Sequence, residues 1–129
     1  MANVFDVLIG KMITSVSLSD YQELIEFVDH NGVSYMFQSY GDCCNNVWFN
    51  HVSGLECLLG QMILKVDEKP WINVDATIQE YDQASFWTFH TTKGYFDFEV
   101  RNSSNGYYSG WVKRYDEVET DLKLITDNF

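Results

Sequence analysis

The chain has 129 residues, of which 19 are Asp or Glu and 8 are Lys or Arg, so its net charge at pH 7 is −11. Hydrophobic residues make up 46% and aromatic residues 16%, which excludes an intrinsically disordered chain and favours a single domain over residues 1–129. The negative charge opposes direct binding to nucleic acid or an anionic membrane, because phosphate contacts require Lys and Arg.

The chain begins with a short predicted helix that ends at Gly10 and leads into a strand, and the same arrangement returns 50 residues later. Residues 5–16 align with residues 55–66. The identical positions are Leu8, Gly10, Met12, Ile13 and Val16. Asn3 and Ser53 are the candidate helix caps, because their side-chain oxygens can accept hydrogen bonds from free backbone N–H groups. A glycine then ends each helix, since it adopts the left-handed conformation without strain.

Each copy is followed by a predicted hairpin and a closing strand. The predicted strands are residues 21–28, 33–40 and 47–52, and then residues 85–91, 95–101 and 107–115. Asn31-Gly32 joins the first hairpin, and Asn-Gly between apolar runs is a strong hairpin signal. Lys93-Gly94 occupies the matching place in the second hairpin. This shared order predicts two pseudo-repeated halves, at about residues 4–52 and 54–115, with chance recurrence as the alternative.

Alternating residues in the segment 95–101 indicate an antiparallel strand with one wet face. The apolar set is Phe96, Phe98 and Val100, and the charged set is Asp97, Glu99 and Arg101. Asp97 and Glu99 therefore share a face, about 7 Å apart by the rise of a strand. That distance suits general acid–base catalysis, but Arg101 on the same face favours a solvated charge ladder instead.

Two further segments complete the predicted fold. An insertion at about residues 68–83 contains Pro70, the single proline, and is predicted to be a loop. The acidic tail, residues 116–129, is predicted to begin with an amphipathic helix over residues 116–125. Its apolar positions are Val118, Leu122 and Ile125. The predicted fold class is therefore α+β: mainly antiparallel sheet from two helix-plus-strands halves, with short helices and a C-terminal helix.

The cysteines and the hydropathy favour a cytoplasmic protein. Cys43, Cys44 and Cys57 are too few, and odd in number, for a disulfide framework, so reduced thiols are expected. No stretch approaches the roughly 18 uninterrupted apolar residues of a membrane helix, and the N-terminus does not resemble a secretory signal. The expected compartment is a cytoplasm, that of a virus-infected host cell included.

No pattern of metal, cofactor or nucleophile chemistry stands out. Cys44, His51 and Cys57 are separated by seven and six residues, whereas zinc ligands usually come in pairs two to four residues apart. Cys43 and Cys44 follow Asp42, and a neighbouring carboxylate disfavours the thiolate that catalysis beside His30, His51 or His90 needs. No glycine-rich phosphate loop is present. We therefore expect no catalytic residues, no metal and no cofactor.

Four short motifs follow one another along the chain: residues 8–16, Asp42-Cys43-Cys44, Leu59-Gly60 and residues 104–109. In this order they resemble the motifs of a family of small uncharacterised proteins found mostly in bacteriophages. The resemblance spans about residues 7–115. It implies a phage origin and a compact α+β domain, and it implies no activity and no catalytic residues.

The leading hypothesis is a phage accessory protein that binds and inhibits a host protein through its acidic surface. A basic nucleic-acid-handling defence enzyme, such as a CRISPR effector, is a partner of suitable charge. The expected partner-binding residues are Asp97, Glu99, Tyr107, Tyr108, Asp116, Glu117, Glu119 and Asp121. The alternatives are a nucleotide-like ligand or substrate bound between the halves, and a virion component. The sequence leaves the oligomeric state open.

Overall fold

Nine antiparallel strands carry almost all the regular structure that a computed structural model describes, over residues 4–41, 45–74, 81–104, 110–115 and 122–124. The strands are β1 (Met12–Ser19), β2 (Leu24–Asp29), β3 (Ser34–Tyr40), β4 (Asn46–Ser53), β5 (Gln61–Val74), β6 (Tyr81–Thr91), β7 (Tyr95–Ser104), β8 (Trp111–Tyr115) and β9 (Leu122–Leu124). A 3-10 helix (Val4–Leu8) precedes β1, and a single turn of α-helix, α1 (Leu55–Leu58), precedes β5.

The predicted α+β class and the predicted C-terminal helix are wrong. Leu122–Leu124 forms β9, which pairs with β1 so that Leu124 lies opposite Ser17. Residues 116–121 and 125 of the predicted helix lie outside the described residues. Leu122 and Leu124 also have the two-residue spacing of a strand, and an edge of β1 offers hydrogen bonds that a short isolated helix in water cannot match.

The predicted loop around Pro70 is also wrong, because β5 runs through it. The register partners in β6 are Phe86 for Lys69 and Ala84 for Ile72. Pro70 and Trp71 therefore stand opposite one residue of β6 and form a β-bulge. A bulge leaves a backbone N–H out of the ladder, which is where a strand tolerates proline. Residues 75–80 of the insertion lie outside the described part of the chain.

The two predicted hairpins and the first closing strand are confirmed. β2 pairs with β3 across the Asn31-Gly32 turn, and β6 pairs with β7 across Lys93-Gly94. β4 extends the predicted residues 47–52 by one residue at each end. α1 begins after Gly54, so the proposed Ser53 cap is one residue out of place.

The strand order is symmetric when the halves are exchanged. It runs β4-β7-β6-β5-β1-β2-β3-β8, with β9 added to β1, and replacing β1–β4 by β5–β8 gives the same order in reverse. Near the centre, the Gly10 N–H donates to Ile63 O over 2.7 Å and the Gly60 N–H donates to Ile13 O over 2.8 Å. The echo between residues 5–16 and 55–66 therefore sits at the β1–β5 junction. The division into two repeated halves stays a prediction.

The core lies between the inner faces of the first-half and second-half strands. The Phe27 ring of β2 is 5.6 Å, centroid to centroid, from the Phe89 ring of β6. Phe5, from the 3-10 helix, is fully buried between them and is 4.4 Å from Phe37 and 4.7 Å from Trp87. Burial of these rings leaves the opposite faces of the strands to form the surface described next.

Candidate binding site

A cavity of about 590 Å³ lies on the outer face of β4, β7, β6 and β5, and we call it the outer groove. It is lined by His51, Lys69, Pro70, Ile72, Phe86, Trp87, Thr88, Asp97, Phe98 and Glu99. Most of this lining is apolar, with a few charged groups, and its volume falls in the range of about 300–1,000 Å³ that is typical of ligand sites.

A β-bulge builds each of two walls of the outer groove. In β4, Asn50 pairs with Glu99 and Ser53 with Asp97, so one extra residue is accommodated, and His51 has a φ of +48°. A positive φ is uncommon outside glycine, although histidine is among the residues enriched there. On the opposite wall, the bulge in β5 contributes Pro70. Bulges turn side chains out of the regular alternation and are frequent beside binding sites.

Two of the six carboxylates predicted to bind a partner line the outer groove, but only one of these two is exposed. Asp97 is exposed and accepts a hydrogen bond from Thr88 Oγ1 over 2.8 Å. Glu99 is only 7% exposed and accepts one from Asn50 Nδ2 over 2.7 Å. Glu99 also lies 3.5 Å from the Arg101 guanidinium. Its charge is therefore offset within the protein, and Asp97 is the carboxylate that faces solvent.

Arg101 joins Glu99 to a second buried carboxylate. Its Nη2 atom is 2.7 Å from Asp82 Oδ2, and Asp82 is 1% exposed. The predicted grouping of Arg101 with Glu99 is confirmed, whereas the prediction that this ladder is solvated is correct for Asp97 and wrong for Glu99 and Arg101. A buried charge requires a close partner because desolvation is costly, so this network has a structural role.

His90 and Asp67 form a separate polar pair further along β6 and β5. His90 Nε2 is 2.6 Å from Asp67 Oδ2, and Lys65 Nζ is 3.4 Å from Asp67 Oδ1. The hydrogen bond from His90 lowers the pKa of Asp67, with burial opposing it and Lys65 adding to it. His90 is thus held by a carboxylate at this position.

The remaining predicted partner-binding residues lie outside the described part of the chain. They are Tyr107, Tyr108, Asp116, Glu117, Glu119 and Asp121. Eight of the 19 acidic residues, and none of the Lys or Arg residues, fall in the six segments that the structure does not describe. The described sheets are therefore much closer to charge balance than the whole chain.

The described residues contain no cluster of three or more His, Cys, Asp or Glu side chains that could hold a metal ion. Cys43 and Cys44, the candidate nucleophiles, lie outside them. Cys57 is half-buried, and its Sγ would lie 3.0 Å from a Cβ placed at Gly94. Among the described helices, neither is long and apolar enough to cross a membrane.

A second cavity, of about 190 Å³, lies on the inner side of β5 and β6, and we call it the inner cavity. It is lined by Val4, Glu68, Trp71, Ser85, Trp87, Val100, Trp111 and Val112. Sequence reasoning missed this site because the residues around Pro70 were predicted to form a loop. The sequence feature that could have indicated this site is the four tryptophans of the chain, because tryptophan is enriched at binding surfaces.

The strands and the outer groove define a small antiparallel β domain with a groove on its outer face. The chain belongs to the family described as "Domain of unknown function (DUF7448)", which it matches over residues 6–113. It is 29% identical over 106 residues to "Uncharacterized protein L278" of Acanthamoeba polyphaga mimivirus, covering 78% of this chain and 84% of that protein. No solved structure matches. The predicted resemblance is therefore confirmed for an uncharacterised family with a viral member, without the restriction to bacteriophages.

Proposed function

We propose that this is a non-enzymatic viral accessory protein, and that its outer groove binds a segment of a host protein. The observation that carries this proposal is that the exposed Asp97 carboxylate lines the same cavity as the apolar residues Phe86 and Ile72. Such a surface suits a partner segment in which a Lys or Arg lies next to an apolar residue. Apolar contact supplies most of the affinity, and the charge pair orients the segment.

The charge distribution supports a basic partner. Glu99 is already compensated by Arg101, so an incoming cation pairs with Asp97 at the surface. The undescribed acidic segments, residues 116–121 above all, add long-range attraction that speeds association at low ionic strength. A host enzyme that handles nucleic acid has a basic surface, because it must contact phosphate groups, and such a surface would be attracted by these acidic segments. A bacterial defence enzyme such as a CRISPR effector is the partner we favour, with a bacteriophage as the source.

A nucleotide-like ligand fits the outer groove less well. Asp97 and Glu99 both line it, and Lys69 is the lysine that faces them there. Phosphate groups need several cationic or N–H donors, so this lining would repel them. The outer groove therefore suits a positively charged protein segment better than a negatively charged nucleotide.

Site-specific photocrosslinking in infected or host cells tests the proposal. A photoreactive amino acid at Ile72, which is 50% exposed in the groove, is compared with one at Val33, which is 46% exposed in the β2–β3 turn. We expect one host protein to crosslink from position 72 and not from position 33. Equal crosslinking from both positions, or none from either, contradicts the proposal.

Charge reversal with the purified partner provides the second measurement. Asp97→Lys should weaken binding about tenfold and flatten its dependence on salt, because a surface charge pair becomes a repulsion. Glu56→Lys makes the same change at an exposed residue of α1, outside the groove, and is the matched control. Equal losses in the two variants would show that net charge, and not the groove, determines binding.

A further inference from the structure

The inner cavity brings together three of the four tryptophans of the chain with one carboxylate. Trp71, Trp87 and Trp111 line it together with Glu68, and no Lys, Arg or His of the described residues does. Val4, Val100 and Val112 complete the apolar part of the wall. This site is separate from the proposed partner segment in the outer groove, although Trp87 is a lining residue of both cavities.

The bulge in β5 is what places a tryptophan in this wall. Lys69 pairs with Phe86 and Ile72 with Ala84, two positions of β6 on the same face, so the extra residue between Lys69 and Ile72 shifts the alternation. As a result, Trp71 packs against the core although it is only two residues from Lys69. Without the bulge, strict alternation would put residues 69 and 71 on the same face.

The other two rings are held in place by aromatic neighbours. Trp87 is stacked with Phe98 at 6.4 Å and an interplanar angle of 9°, and it meets Phe5 edge-on at 4.7 Å. Trp111 is stacked with Tyr40 at 6.1 Å and 13°. Rings fixed in this way lose little conformational entropy when a ligand binds.

The chemistry of this wall selects a small organic cation. Indole rings present negative π-faces that attract cations, and Glu68 adds a negative charge at the exposed side of the cavity. A cavity of 190 Å³ is below the size of drug-like ligand sites, so the group bound inside is a head group and not a whole nucleotide. A primary ammonium is strongly hydrated, whereas a methylated ammonium sheds water easily and contacts the rings with its methyl groups.

We propose that the inner cavity is an aromatic cage for a methylated ammonium group. The same chemistry is carried by a trimethylated lysine side chain and by free choline. A second observation agrees with a ligand that carries an oxygen near its cationic head, as choline does and a trimethylated lysine side chain does not. Trp87 is 5% exposed, and its Nε1 has no hydrogen-bond partner within the described structure. A ligand hydroxyl or carbonyl group would supply the missing acceptor.

Nuclear magnetic resonance of the indole N–H groups tests the cage residue by residue. The chain has four tryptophans, and Trp48, on β4, does not line the inner cavity. Titration with choline should shift the signals of Trp71, Trp87 and Trp111 and leave that of Trp48 in place, with a dissociation constant on the order of 1 mM. The neutral isostere 3,3-dimethylbutan-1-ol, which has the same shape without the charge, should bind about tenfold more weakly.

Two variants separate the carboxylate from the rings. Glu68→Gln should weaken choline binding about threefold, because Glu68 is exposed and its charge is partly screened, while Glu56→Gln should leave it unchanged. Trp111→Leu should abolish detectable binding, whereas Trp48→Leu should not. Thermal unfolding of each variant shows whether it is folded. If a tryptophan variant does not fold, the loss of affinity in Glu68→Gln still tests the proposal.

The two sources of the head group are distinguished by peptides. A trimethyl-lysine peptide that binds more tightly than choline assigns the cage to a modified protein, and the reverse order assigns it to a free metabolite. An unmethylated peptide should shift none of the three signals. Equal binding of choline and its neutral isostere, or a shift of all four indole signals, overturns the proposal. Neither result affects the crosslinking test of the outer groove.

Discussion

Phe5 is the side chain whose removal should damage the core most. It is fully buried, and its ring contacts aromatic rings from both sets of strands, among them Phe37 at 4.4 Å and Phe98 at 5.3 Å. Truncation of a buried Phe to Ala costs about 3–5 kcal/mol, from lost burial and from the cavity left behind. A domain of this size has about 5–15 kcal/mol of stability in total, so Phe5→Ala removes a large share.

Urea denaturation followed by tryptophan fluorescence measures this loss directly, since Trp87 lies 4.7 Å from the Phe5 ring. The midpoint should fall while the slope of the unfolding free energy against urea stays constant. The melting temperature should fall by about 10–20 °C, at about 2–8 °C per kcal/mol for domains of this size range. Phe5→Leu fills part of the space and should cost about 1–2 kcal/mol.

The control for Phe5 is Tyr21→Ala, because Tyr21 is 83% exposed and should change the unfolding free energy by about 0.5 kcal/mol or less. A loss below about 1 kcal/mol for Phe5→Ala would refute the placement of this ring between the two sets of strands. If Phe5→Ala does not fold at all, Phe5→Leu provides the test, because its smaller expected loss of unfolding free energy leaves a measurable transition.

Three further predictions concern the backbone and the buried charges. A Cβ at Gly54 would overlap the first carbonyl oxygen of β7, while Gly32 has open space around it. Thermal denaturation should therefore show a loss of about 3 kcal/mol or more for Gly54→Ala and of about 1 kcal/mol for Gly32→Ala, which has only its positive φ to strain it. Equal losses would contradict the close approach of Gly54 to the backbone of β7. Burial raises the pKa of Asp29, but hydrogen bonds from two N–H groups of the following turn outweigh it and hold the pKa below its usual 3.8. The stability from this carboxylate is present above the unfolded pKa and is lost as pH falls through the lower folded pKa. Asp29→Asn should thus destabilise the protein at neutral pH and lose this effect in acid, and a difference independent of pH in urea titrations would contradict it. Arg101→Met leaves the buried Asp82 carboxylate without the guanidinium and should cost about 3–5 kcal/mol, whereas a calorimetric loss below 1 kcal/mol would contradict the buried ion pair.

Local patterns in the sequence identify most of the strands. Asn31-Gly32 between apolar runs predicts its hairpin because the turn geometry is a property of those two residues. The alternation in residues 95–101 likewise predicts the buried Phe96, Phe98 and Val100 and the exposed Asp97, but it misses the burial of Glu99. The same local reasoning fails for the tail, since Leu122–Leu124 fits a helix or a strand and its pairing with β1 decides between them.

Only the tertiary structure decided where strands from different halves pair and where the register between paired strands shifts. β4 pairs with β7 and β8 with β3, so the fourth strand of each half completes the other one. The bulges that turn His51 over the outer groove and Trp71 into the inner cavity depend on the length of the partner strand, which no local pattern contains. The sequence by itself determined the acidity, the turns and the alternation, because these are properties of neighbouring residues. The two cavities arise from contacts between residues far apart in the chain, and for this reason they were visible only in the folded structure.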